Sequence, residues 1–122
     1  MADPGWDEPG QRGHLTIADR VVQRVAITAA REIDGVVSIG SGFDQVLGHR
    51  YPKADATVAG NRVRIEVDVA VTWPHPLAKV SADVRQRVRQ RVSELVGLQV
   101  DAVDVTASKI VTAPESKVRR VQ

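Results

Sequence analysis

The chain predicts an α+β two-layer sandwich, with two helices packed on one face of a three- to four-stranded sheet in the order (β)αββαβ. Three observations carry that prediction. Apolar residues recur at helical spacing over 17–33 and again over 77–96. Between these segments, residues 62–73 alternate apolar and polar side chains with the period of a strand. The apolar stock is mostly valine and isoleucine, and aromatic residues make up only 3% of the 122, ending at Trp6, Phe43, Tyr51 and Trp73. Stiff β-branched side chains suit a pleated surface with helices laid against it.

The elements follow in order. Residues 1–12 carry Pro4, Gly5, Pro9 and Gly10 among charges and read as a disordered tail. His14-Leu15 suggests a short edge strand in front of the first helix. Thr16-Ile17-Ala18-Asp19 has the form of a capping box, which starts a helix at Ile17. Ala18, Val21, Val22, Val25, Ala26, Ala29 and Ile33 form its apolar stripe, and Gly35 supplies a left-handed stop. Val36-Val37-Ser38-Ile39 is a short strand, and a glycine-rich loop from Gly40 to about Ala56 follows. Thr57-Val58-Ala59 is the candidate hairpin mate of the central strand, across a turn at Gly60-Asn61.

In that central strand Val63, Ile65, Val67, Val69, Val71 and Trp73 point one way, and Arg62, Arg64, Glu66, Asp68 and Thr72 the other. One face therefore meets the helices and the other meets water. Pro74 and Pro76 end it. Leu77, Val80, Val84, Val88, Val92, Leu95 and Val96 keep helical spacing up to a stop at Gly97, and Val100 to Ala107 returns to alternation. Residues 112–122 read as a basic tail, which leaves 13–111 as a single domain.

Composition narrows the chemistry. There is no cysteine, so disulfides and thiolate catalysis are excluded. His14, His49 and His75 lack ligand spacing, and no metal or other cofactor is expected. Glu66 and Asp68 share a strand face with Arg62 and Arg64, which charge pairing on a solvated face explains better than acid–base catalysis. Gly40-Ser41-Gly42 lacks the flanking pattern of a nucleophile elbow or a phosphate loop. No enzyme is predicted, and no catalytic residue. The acidic, proline-broken N-terminus lacks the pattern of a secretory signal. No apolar run reaches the roughly 20 residues that span a bilayer. A cytoplasmic protein, peripheral to the membrane only through a partner, is the expectation.

Two basic features remain. Arg20, Arg24, Ile27 and Arg31 follow one another at helical intervals and form an outward stripe on the first helix, suited to an acidic, amphipathic partner segment. In the second helix Lys79, Arg85, Arg87, Arg89 and Arg91 outnumber Asp83 and Glu94 by three, where the whole chain carries +2. Arg85 and Arg89 border one side of the valine stripe, and Arg87 and Arg91 the other. Their stems can cover the core edges while the guanidinium groups stay wet. As a candidate anionic surface, these four arginines and the basic tail define the alternative function, a small RNA-binding module. The scarcity of aromatics for base stacking counts against it.

The run Gly13-His14-Leu15-Thr16-Ile17, with Val21-Val22, Val25-Ala26, Ala29-Ala30 and Glu32-Ile33-Asp34-Gly35-Val36, resembles the alkaline shock protein family of bacterial envelope stress response proteins. The segments Arg62 to Val71, Leu77 to Gly97 and Val103-Asp104-Val105 agree with it, over roughly residues 13 to 110 in all. Members often carry a tyrosine-glycine pair after the central strand, where this chain has Trp73-Pro74. The resemblance implies a non-enzymatic protein of cell-envelope homeostasis, often held at the membrane by a small anchoring partner. On that basis a scaffold or adaptor acting through protein–protein contacts is expected, with self-association into a homo-oligomer among them.

Overall fold

The computed structural model describes residues 16–40 and 50–112. Its elements are α1 (Ile17–Arg31), β1 (Val36–Val37), β2 (Lys53–Ala59), β3 (Arg62–Thr72), α2 (Leu77–Val96) and β4 (Gln99–Val111). The expected strand at His14-Leu15, the tails, His49 and most of the Gly40–Ala56 segment lie outside the described residues, apart from Thr112 of the second tail.

β3 is the middle of a mixed sheet. β4 pairs with it in parallel along Arg62 to Thr72. The other edge of β3 is shared, by β2 antiparallel to residues 62–68 and by β1 antiparallel to Ala70 and Val71. Two helices cover one face, as the sequence predicts. Val63, Ile65, Val67, Val69 and Val71 project into the core, each at most 1% exposed. α2 meets them with Val80, Val84, Val88 and Val92, and α1 with Val22, Ala26, Ala29 and Ala30. A core of small aliphatic side chains gains its stability from many modest burials, about 1.5–3 kcal/mol for a valine-sized side chain.

The capping box forms as read. The Thr16 hydroxyl accepts from the Asp19 amide at 2.9 Å, and Asp19 Oδ2 accepts from the Thr16 amide at 3.3 Å. Asp19 Oδ1 also accepts from the Val58 amide at 3.2 Å, which ties the start of α1 to β2. α2 is entered through Pro76, after a turn containing a cis Trp73–Pro74 peptide, and stops at Gly97 with φ of 79°.

Several boundaries differ from the sequence reading. α1 stops at Arg31, two residues early, with Glu32 as its C-cap. The loop expected to reach Ala56 gives way to strand at Lys53, because pairing with Asp68 and Val67 of β3 continues through Lys53 and Ala54. β4 runs four residues beyond Ala107, to Val111. Trp73 lies outside β3, 62% exposed, and does not share the core face of the valines. Ala18 of the apolar stripe of α1 is also exposed.

Candidate partner-docking face

α1 shows its outer side to solvent, and two open cavities flank it. The first, about 570 Å³, lies in the seam between α1 and α2. Ile17, Val21, Val25 and Leu95 give it an apolar lining, Arg20 and Arg24 its cations unpaired among the described residues, and Glu32 and Arg91 an ion pair. Ile17, Val21 and Leu95 are 83%, 44% and 67% exposed, so the domain leaves a cluster of aliphatic surface uncovered here. The second cavity, about 540 Å³, is lined by Arg20, Gln23, Arg24, Ile27, Thr28, Arg31 and Arg50. The stripe of Arg20, Arg24, Ile27 and Arg31 is thus brought together as the sequence places it, but Ile27 is half-buried rather than its exposed apolar member.

Sequence reasoning missed Ile17, Leu95 and Arg50, and placed Val21 and Leu95 with the core. A signal was available: in α1 the column Val22, Ala26, Ala29, Ile33 is enough to cover the sheet. Val21, Val25 and Thr28 form a second column turned toward α2.

The basic residues of α2 divide as the wheel predicts. On the α1 side, Arg87 Nη1 and Arg91 Nη2 both donate to Glu32 Oε1, at 2.5 and 3.1 Å. This knot ties the end of α1 to the middle of α2 at the floor of the seam. On the β4 side, Arg89 Nη1 donates to the Val100 carbonyl at 2.9 Å. The neighbouring Gln99 amide turns inward to Asn61, so the Val100 carbonyl faces the open edge of β4. Arg89 therefore covers part of an edge that would otherwise present unpaired groups. Arg85 makes no ion pair or side-chain hydrogen bond among the described residues.

The Arg87 guanidinium first, then Arg91, holds the Glu32 carboxyl below the usual glutamate range against an opposing desolvation effect. Arg62 likewise lowers Asp101 through a 2.7 Å ion pair. A carboxyl depressed in the folded state stabilises fully above its unfolded pKa, about 4.3 for glutamate, and loses that contribution as pH falls through the folded value. Stability should therefore drop through the acid range below about pH 4.3. Glu32→Gln should be less stable than wild type near neutrality and should converge on it at the acid end. Melting temperatures measured at a series of pH values would check this, and parallel curves would contradict it.

The outer face of the sheet is of mixed charge: Arg62 and Arg64 stand on it at one end of β3, Lys53 faces Asp68, and a carboxylate row lies between them. Asp55, Glu66 and Asp104 lie side by side across β2, β3 and β4, with Asp68 one pair further along. Glu66 and Asp68 are thus part of a carboxylate row, and among the described residues no group of three or more potential ligands is placed to hold a metal ion.

Two helices packed on one face of a mixed four-stranded sheet make the protein an α+β two-layer sandwich, and sequence comparison identifies its family. Residues 7–112 match the model of the alkaline shock protein 23 family, described as having a cell envelope-related function, and the chain belongs to that family. The chain is 26% identical over 99 residues to the uncharacterized protein YqhY of Bacillus subtilis, covering 76% of this chain and 73% of that one. It is 20% identical over 117 residues to a stress response regulator gls24 homolog of Streptococcus pyogenes, covering 90% of this chain and 65% of the relative's length. Among solved structures, a manganese form of a MamM CTD variant aligns over 74% of this chain and 96% of its own, with 15% identity and a TM-score of 0.46. No helix among the described residues is long and apolar enough to cross a membrane.

Proposed function

We propose that this chain is a non-catalytic adaptor of the bacterial envelope stress response that holds an acidic, amphipathic helical segment of a membrane-anchored protein partner. The observation that carries the reading is the seam between α1 and α2, where exposed Ile17, Val21 and Leu95 lie beside Arg20 and Arg24. An apolar groove with a cationic rim suits a helix with aliphatic residues on one face and carboxylates along its flank. The RNA-binding alternative rests on the four arginines of α2 and the basic C-terminal tail; of those arginines Arg87, Arg91 and Arg89 are already engaged within the domain, which leaves Arg85.

A labelled synthetic helix with leucines on one face and glutamates on its flank provides the test, by fluorescence anisotropy. The glutamate peptide should bind with an affinity that falls as salt rises, and a lysine-flanked counterpart should not bind. Leu95→Glu and Val21→Glu, both at exposed positions, should weaken capture at least tenfold while leaving the melting temperature within a few degrees. Equal binding of the two peptides, or wild-type binding by both variants, would overturn the reading.

A further inference from the structure

In one cavity the cations meet carboxylates. At the end of α1 a cavity of about 520 Å³ holds Glu32, Asp34, His75, Lys79, Asp83 and Arg87, of which Lys79 pairs with Asp83 at 2.8 Å and Arg87 with Glu32. The cavity on the far flank of α1 differs. Arg20, Arg24 and Arg31 from the helix and Arg50 from the segment ahead of β2 all line it, and no carboxylate does. None of the four makes an ion pair or a side-chain hydrogen bond among the described residues. Four guanidinium groups around one cavity repel one another, and nothing among the lining residues offsets that repulsion.

The arrangement also indicates the shape of an anion. Guanidinium forks match phosphoryl oxygens two at a time, and Thr28 and Gln23 add neutral donors at the same wall. From Arg20 to Arg31 the helix rises about 16 Å at ~1.5 Å per residue. A single phosphate cannot reach across that span, whereas a chain of phosphoryl groups can. No aromatic side chain lines the cavity, so it offers no platform for a base.

We propose that the Arg20–Arg24–Arg31–Arg50 cavity is a binding site for a linear inorganic polyphosphate. The site does not depend on the peptide-docking reading, although Arg20 and Arg24 line both cavities.

The experiment is titration calorimetry of the full chain with medium-chain sodium polyphosphate, orthophosphate, a single-stranded RNA homopolymer and poly-glutamate, across a salt series. Polyphosphate should bind with the highest affinity per anionic group, and orthophosphate at least a hundredfold more weakly. Arg31→Ala/Arg50→Ala should weaken polyphosphate binding at least tenfold and make its salt dependence shallower by about two contacts' worth. Arg85→Ala, which removes an unpaired arginine elsewhere on the surface, should leave it unchanged. Equal affinity for poly-glutamate or RNA would show a diffuse basic surface and overturn the proposal, as would an equal loss in Arg85→Ala. The Arg31→Ala/Arg50→Ala variant should retain capture of the glutamate-flanked helix, so that failure of either reading leaves the other standing.

Discussion

Replacing Gly35 with alanine should destabilise the domain by about 3 kcal/mol and lower its melting temperature by roughly 10 °C or more. Two independent effects add at this position. Gly35 has φ of 96°, a left-handed conformation that costs a residue with a Cβ about 1–2 kcal/mol. A Cβ there would also lie 2.8 Å from His75 Cγ and 3.0 Å from His75 Cβ. Those atoms are the root of the side chain rather than its mobile end, so relief needs a backbone shift. The surrounding backbone resists one: the Gly35 carbonyl accepts from the Thr72 amide at 2.8 Å, and the His75 amide donates to the Thr72 carbonyl at 3.0 Å. Gly35 thus fastens the end of α1 and β1 to the corner between β3 and α2. Thermal unfolding of Gly35→Ala, His75→Ala and the double variant isolates the contact with the ring. The double variant removes the contacts with the ring but keeps the 3.0 Å approach to Cβ, so it should recover about 1 kcal/mol, the ring's share of the clash, and keep the rest. No recovery would place the cost in the backbone dihedral and the Cβ contact rather than in the ring, and no loss in the single variant would contradict the close packing of this corner.

The positive φ of Gly35 was legible but its role was not: the sequence marks it as a helix stop, whereas α1 is capped at Glu32 and Gly35 serves the approach of His75. The helices and β3 were legible because a long, one-sided valine pattern can be buried in few ways. Where the pattern failed, the cause is local. Lys53-Ala54-Asp55-Ala56 alternates correctly, with Ala56 buried and Asp55 exposed, but it has no β-branched residue to mark a strand. Only its partners on β3 decide its state. In β4 the register slips between Val69 and Ala70, where Ala107 and Lys109 are the successive partners and Ser108 is extra. That bulge resets the alternation, and a period-two reading stops there although pairing continues to Val111. A similar slip between Val63 and Arg64 makes Asp101 the extra residue, which is why buried Val100 and Val103 are three apart.

The candidate face was half legible. Arginine spacing on α1 is a property of one helix, and the wheel gives it. The apolar seam depends on where α2 lies, because Leu95 comes next to Val21 only after both helices settle on the sheet. Arg50 joins Arg31 through the path of the chain into β2, for which sequence separation offers no guide. The pairing of Arg87 and Arg91 with Glu32 is of the same kind, a contact between side chains more than fifty residues apart.

The geometry of that seam should be sensitive to the buried alanines beneath it. Ala26, Ala29 and Ala30 are at most 1% exposed and form the inward side of α1, where their small size lets the helix sit close to the sheet. Ala26→Leu forces three further heavy atoms into a closed site, and overpacking of this kind should cost about 3 kcal/mol. Ala18→Leu makes the same chemical change on the exposed side of the same helix, with nearly the same helix propensity, and should shift stability by only about 0.5 kcal/mol. Urea unfolding of the two variants isolates the packing contribution, since length, charge and helix content are held constant. The functional consequence is separable too. If α1 lifts to admit the leucine, Val21 and Arg24 move relative to Leu95, and binding of the glutamate-flanked helix should weaken although no residue of the groove has changed. Wild-type stability in Ala26→Leu would mean that α1 lies loosely on the sheet. Lost stability with unchanged peptide affinity would mean that the width of the groove is set by the Glu32–Arg87–Arg91 knot rather than by the alanines.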